Sequence, residues 1–150
     1  MIKKLTIDDL QDVYDLLRPF FDEGHWSRYG EFSPENTVSY IASFLETDYC
    51  NPLGYYDGAL KGLIVVDINY EFHNSPMGYV TNFYLAKDAR ATGISRMLVE
   101  KALELCNNSN CINVYAANTG IWSGRANALF DNLFNKYGFE KFSNLLIREM

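Results

Sequence analysis

Asp88-Ala89-Arg90-Ala91-Thr92-Gly93-Ile94-Ser95 is the stretch whose reading decides the fold of this chain. Before it stands Tyr79-Val80-Thr81-Asn82-Phe83-Tyr84-Leu85, rich in β-branched and aromatic residues, which predicts a strand. After it, Ile94, Met97, Leu98, Lys101, Ala102 and Leu105 recur at i, i+3 and i+4, which predicts a helix with one buried face. A short loop that opens a helix leaves several backbone N–H groups without acceptors at the positive end of the helix dipole. Gly93 lets a ligand approach the backbone, and Arg90 adds a full positive charge. Together these predict an anion site, best matched by a pyrophosphate.

Working outward, Ile2 to Leu5 reads as a short strand, and Thr6 with Asp9 three residues on is a capping box. Leu10, Val13, Tyr14, Leu17 and Phe20 form the apolar stripe of the helix that follows. A polar and aromatic segment runs from Asp22 to Phe32. Ser33-Pro34 then opens a second helix through Val38, Ile41, Ala42 and Leu45. Strands are expected at Leu53 to Tyr56 and Ala59 to Tyr70, joined by the hairpin signal Asp57-Gly58. Beyond the anion loop and its helix, Cys111 to Ala117 reads as strand and Asn118 to Gly124, with Trp122, as irregular. Ser123 begins a helix with Ala126, Leu129, Phe130, Leu133 and Tyr137 inward, stopped by Gly138, and Phe139 to Ile147 is the last strand. The order is β-α-α-β-β-β-α-β-α-β, an α/β (α+β) chain with a mixed, mostly antiparallel sheet and about four flanking helices. It is expected to form a single domain over 1–150, without repeat or linker.

The bulk composition bounds the function. An apolar fraction of 48% and a charged fraction of 21% are globular values. No apolar run approaches the roughly 20 residues that span a bilayer, and Met1-Ile2-Lys3-Lys4-Leu5 turns polar at once, unlike a signal peptide. Cys50, Cys106 and Cys111 are odd in number and lack metal-ligand spacing. They read as reduced thiols of a cytoplasmic protein without a metal site. The net charge of −6 argues against a nucleic-acid partner and mildly favours a cationic acceptor.

The pattern Arg90-x-x-Gly93-Ile94-Ser95 resembles the Arg/Gln-x-x-Gly-x-Gly/Ala signature of the GNAT superfamily, the Gcn5-related N-acetyltransferases, and the element order agrees with that fold from end to end. A second match lies in the last helix: Asn127, Phe134 and Gly138-Phe139 are similar to the family's Asn-x-x-Ala…Tyr-x-x-x-Gly-Phe pattern. The resemblance implies acetyl-CoA as acyl donor and a primary amine as acceptor. It also implies direct attack in a ternary complex, and dimers through the last strands are frequent in the family. Leu85 stands where the family uses main chain to bind the pantetheine arm and polarise the thioester, with Lys87 at the usual proline. Arg90, Ala91, Thr92, Gly93, Ile94 and Ser95 would cradle the pyrophosphate, and Asn127 and Phe134 would meet the cofactor arm.

Two departures concern proton transfer. Phe134 replaces the tyrosine that commonly protonates the leaving thiolate; Tyr137 is the nearest hydroxyl, about 300° further round the helix. The strand 79–85 carries no carboxylate, so Glu71 is the leading candidate base, with Asp67, Asp22, Glu23 and His25 as others. Trp26, Tyr29 and Phe32 are expected to wall the acceptor pocket, as in the corresponding region of the family, together with Asn82 and Tyr84. Tyr84 points away from Phe83 and Leu85, and alternation alone leaves open which face holds the site. Because two proton-transfer side chains are missing, a second reading stands beside the enzyme: a CoA- or acyl-CoA-binding interaction or regulatory module. A nucleotide-binding domain is disfavoured, since the loop is neither Gly-x-Gly-x-x-Gly nor Gly-x-x-x-x-Gly-Lys.

Overall fold

Local signals set the ends of the elements. The Thr6 N–H donates to Asp9 Oδ2 at 2.9 Å, so the capping box forms, over a single 3₁₀ turn that runs into α1 (Leu10–Glu23). Ser33 Oγ accepts from the Asn36 N–H at 3.2 Å, with Pro34 in the first turn of α2 (Pro34–Glu46). Asp57-Gly58 joins β2 (Cys50–Asp57) to β3 (Ala59–Asn69), with Gly58 at φ +72°. The remaining elements are β1 (Ile2–Lys4), β4 (Met77–Leu85), α3 (Ile94–Asn108), β5 (Val114–Ala116) and α4 (Gly124–Asn135). The computed structural model describes residues 1–23, 25–117, 124–141 and 148, with backbone alone for His25, Trp26 and residues 124–127.

Among the described residues, five strands lie in the order β1-β2-β3-β4-β5, antiparallel except for the parallel pair β4–β5. This is the mixed, mostly antiparallel sheet that the element order predicts. Each face carries its own core. On one side Val13, Leu16, Ile41 and Phe44 of α1 and α2 cover Leu60, Leu63, Val65 and Tyr84. On the other, Ile94, Leu98, Val99 and Ala102 of α3, with Phe134 near the end of α4, cover Ile64, Val66 and Val80. Gly138, at φ +84°, ends the last helix, and the Phe139 N–H returns to the Phe134 carbonyl at 3.3 Å. That bond is the hydrogen bond of a Schellman close.

Some boundaries differ from the sequence reading. The strand expected from Cys111 is shorter, and β3 stops at Asn69, one residue before the expected end, with Glu71 in the bend that follows. Of the last expected strand, 139–141 lie outside any strand, and 142–147 lie outside the described residues, as does Trp122. Among the described residues no helix is long and apolar enough to cross a membrane, and no His, Cys, Asp and Glu are grouped as a metal site.

Candidate active site

A one-residue irregularity in β4 builds the site. Val65 pairs with Asn82 and Val66 with Val80, so Thr81 is an extra residue in β4. Such a bulge resets the alternation of side chains and bends the strand. Val80, Phe83 and Leu85 consequently share the α3 side, while Asn82 and Tyr84 face α1 and α2 with Tyr79, which lies opposite Asp67. The bulge thus fixes which helices each of these side chains faces.

The same place is where β4 and β5 separate. The parallel ladder joins only Gly78, Tyr79 and Val80 to Val114, Tyr115 and Ala116. Among the described residues, β4 beyond Val80 has no partner on that edge. Its polarity there follows from the register with β3. The Ala86 N–H donates to the Lys61 carbonyl at 2.9 Å while Leu85 pairs with Gly62. That is the pattern around a non-hydrogen-bonded pair, so the N–H and C=O of Leu85 point away from β3 to the open edge. Phe83, two residues earlier in an unbroken register, presents its N–H and C=O the same way. A sequence pattern does not distinguish these positions, because the signal lies in the partner strand.

The open edge leads to the turn quoted at the outset. Ala91 lies at φ +61° and Gly93 at φ +90°, two left-handed residues separated by Thr92, whose Oγ1 donates to the Ala89 carbonyl at 2.5 Å. Loop main-chain bonds stop at the Arg90 N–H to the Lys87 carbonyl and resume at the Met97 N–H to the Gly93 carbonyl. The intervening N–H groups sit at the start of the 15-residue α3, and such turns form anion-binding concavities. Ile94 is buried and anchors the helix; Ser95 is half-buried beside it.

Asp88, Lys87 and Arg90 of the turn each meet an opposite charge. Asp88 bonds Lys61 at 2.5 Å, and this contact holds its carboxyl below the usual range. Arg90 does not extend into solvent alone. Its Nε and Nη2 donate to the Leu85 carbonyl at 3.2 and 3.1 Å, and Nη2 also donates to Glu23 Oε2 at 2.7 Å. Among the described residues the Leu85 N–H thus has no partner, while its carbonyl is held by Arg90. Lys87 is largely exposed, with Nζ 4.0 Å from Glu23.

On the α1–α2 side, Tyr84 Oη donates to Glu23 Oε1 at 3.0 Å, and burial followed by this carboxylate pushes the phenol up to about 12. Tyr40 of α2 donates to Asn82 Oδ1 at 3.1 Å, a partner the sequence does not mark. Phe32 packs edge-on to Tyr14 and Phe21 with Arg18 over its ring, so it lies against α1. Tyr29 is exposed, with Arg28 donating to its hydroxyl; the Trp26 side chain lies outside the described residues. Glu71 accepts from Tyr79 Oη at 3.1 Å, and the Tyr79 ring stacks on Tyr115.

The candidate acids and nucleophiles are held elsewhere. Tyr137 Oη donates to Glu100 of α3 at 2.8 Å; burial and then that carboxylate raise its pKa. Phe134, 3% exposed, stacks on Phe130 and meets Phe83 and Phe139 edge-on, a cluster beneath the open edge. Asn127 lies on α4, its side chain outside the described residues. Burial pushes the Cys50 and Cys106 thiols up to about 12, which disfavours a thiolate nucleophile.

Residues 10–139 match the acetyltransferase (GNAT) family. No curated protein matches the sequence. Among solved structures, the aminoglycoside antibiotic 6'-N-acetyltransferase AAC(6')-IG from Acinetobacter haemolyticus superposes with a TM-score of 0.72 at 17% identity, covering 100% of this chain and 97% of its own. AAC(6')-Iy in complex with the bisubstrate analog CoA-S-monomethyl-acetylneamine gives 0.75 at 14% identity, covering 100% and 97%. The ribosomal-protein-alanine N-acetyltransferase from Brucella melitensis gives 0.72 at 17% identity, covering 99% of each chain. At such identities the likeness shows the shared fold.

Proposed function

The chain belongs to the GNAT acetyltransferase family, and on this footing we propose that it transfers the acetyl group of acetyl-CoA to a primary amine by direct attack in a ternary complex. One observation carries the reading: the edge of β4 that is unpaired among the described residues runs from the bulge at Thr81 to the left-handed turn at Ala91–Gly93. A strand edge with free N–H and C=O groups is a template for an extended amide chain. Pantetheine is such a chain, and it ends in a pyrophosphate. The six residues from Val80 to Leu85 span about 16 Å of strand, comparable to the extended arm.

In this arrangement the N–H groups of Ala91 to Ser95 receive the pyrophosphate and the N–H groups of Phe83 and Leu85 face the acyl-pantetheine. A donor held in place stabilises the oxyanion that develops as the amine adds, the contribution usually largest in acyl transfer. Phe134 packs against that region and cannot donate a proton, so the thiol leaves as its anion, which a pKa near 8.5 permits. The acceptor enters from the α1–α2 face, where Asn82, Tyr40, Tyr79 and the Glu71 carboxylate lie. Glu71, reached through Tyr79, is the base assigned on this face. The closed end of the splay, at Val80, sets where the thioester stops.

The test is release of free thiol from acetyl-CoA with a panel of amines, beside calorimetric binding of CoA. Amine-dependent thiol release supports the enzyme. Tight CoA binding with no release for any amine would favour the second reading, a CoA-binding module, which the buried phenyl ring of Phe134 motivates. Absence of CoA binding would overturn both.

A further inference from the structure

Glu23 is the last residue of α1, where the helix dipole disfavours a carboxylate, yet its side chain is only 17% exposed. Three donors from the far end of β4 and the turn beyond it converge there. Tyr84 Oη lies 3.0 Å from Oε1, Arg90 Nη2 2.7 Å from Oε2, and Lys87 Nζ 4.0 Å away. Arg90 in turn holds the Leu85 carbonyl through two of its nitrogens. The guanidinium is a rigid planar fork, so fixing it on Glu23 fixes it on Leu85 as well. One side chain therefore joins three segments distant in sequence: the end of α1, the last residue of β4 and the first residue of the anion turn.

Besides this clamp, the Asp88–Lys61 pair at 2.5 Å and buried Ala89 tie the start of the turn to the sheet, and Arg90 is the side chain that reaches the Leu85 carbonyl. The Ala89 N–H to the Ala86 carbonyl is 2.9 Å, and the Arg90 N–H to the Lys87 carbonyl is a long 3.4 Å. We propose that Glu23 is a positioning residue of the cofactor site, acting through Arg90 to hold the pyrophosphate turn at a fixed spacing from the open edge of β4. The inference rests on the CoA reading above and adds a residue to it. A ligand with two linked parts gains from both subsites only where their separation matches its own length. Glu23 touches neither part, and its effect is on that separation. The same carboxylate orients Tyr84 on the acceptor face, so it joins the two halves of the site.

The test is calorimetric titration of the full chain with CoA in wild type, Glu23→Ala, Glu23→Gln, Arg90→Ala and the double Glu23→Ala/Arg90→Ala. Glu23→Ala is expected to weaken CoA roughly five- to tenfold, and in the Arg90→Ala background to add less than about twofold, since the two act as one unit. Glu23→Gln keeps one acceptor oxygen, enough for the Arg90 bond with its amide turned to Tyr84 Oη, and should fall between wild type and alanine; it also serves if the alanine variant folds poorly. Simple additivity of Glu23→Ala and Arg90→Ala would mark a merely structural residue and overturn the proposal. So would wild-type or tighter CoA affinity in both Glu23 variants. A wild-type chain that does not bind CoA would instead overturn the reading on which this one rests.

Discussion

Replacing Gly93 by alanine separates two costs that usually arrive together. A Cβ built at Gly93 meets nothing within 4 Å, so there is no clash to relieve. The backbone nevertheless stands at φ +90°, where a side-chain-bearing L residue is strained by about 1–2 kcal/mol. Alanine also restricts the unfolded chain, which offsets about 0.4–1 kcal/mol. The net expectation is a loss of about 1 kcal/mol, seen as a fall of roughly 2–4 °C in Tm for a domain of this size. Ala91 supplies the opposite case, an alanine already at φ +61°. Ala91→Gly removes the strain and loosens the unfolded chain, so it should leave stability unchanged or raise it by up to about 1 kcal/mol. CoA affinity responds differently. If Gly93→Ala keeps the turn, the new methyl occupies the open space over the N–H groups where phosphates would sit. If the turn relaxes instead, those N–H groups swing out of line. CoA binding therefore weakens on either route, by about tenfold for 1.4 kcal/mol. Urea unfolding and CoA titration on the same preparations measure both quantities. Gly93→Ala with wild-type CoA affinity, or Ala91→Gly as destabilising as Gly93→Ala, would refute the reasoning.

Phe134→Ala should cost about 3–5 kcal/mol, because the ring is buried against Phe83, Phe130 and Phe139; urea midpoints at unchanged slope report it. Burial alone would raise the carboxyl of Asp9, but Lys3, the Thr6 N–H and Tyr56 outweigh it and hold the pKa below the usual value. A depressed folded pKa gives stability that is full above the unfolded value, near 3.9, and is lost as pH falls through the folded one. Wild type should therefore lose stability below about pH 4 more steeply than Asp9→Asn, a difference thermal melts across that range will show or deny. Tyr40→Phe removes one half-exposed hydrogen bond to Asn82, so stability should change by less than about 1 kcal/mol. The KM for the amine should rise while CoA affinity holds; an unchanged amine KM would remove Tyr40 from the acceptor face.

The elements were legible because each is written locally. The Thr6–Asp9 box, the Ser33-Pro34 cap, the Asp57-Gly58 hairpin and the Gly138 stop act within a few residues, and all four occur where the sequence puts them. The bulge at Thr81 is of another kind. Val80 and Phe83 are both apolar and three apart, which alternation alone cannot reconcile with one face, and only the register against Val65 and Val66 shows the extra residue. Which face Asn82 and Tyr84 present depends on that single residue. The polarity of the open edge is likewise set by β3, through the bond from Ala86 to Lys61.

Side-chain partnerships were the least legible, because they close over long separations. Glu23 and Arg90 are 67 residues apart, Glu23 and Tyr84 61, and Tyr40 and Asn82 42. Arg90 shows the consequence most sharply. In the sequence it reads as a charge aimed at an anion, whereas its guanidinium brackets Leu85 to Glu23, and the turn offers main-chain N–H groups to the proposed anion. A motif whose function is carried by backbone tolerates substitution at its side chains, as Ser95 and Lys87 exemplify, provided the turn keeps its shape. The same logic bears on Phe134. If the main-chain donors of β4 carry most of the stabilisation, a missing general acid costs roughly 100- to 10,000-fold in rate without erasing the activity. Cofactor binding and acyl transfer are then separable properties of one strand edge, the first set by its spacing from the turn and the second by its N–H groups.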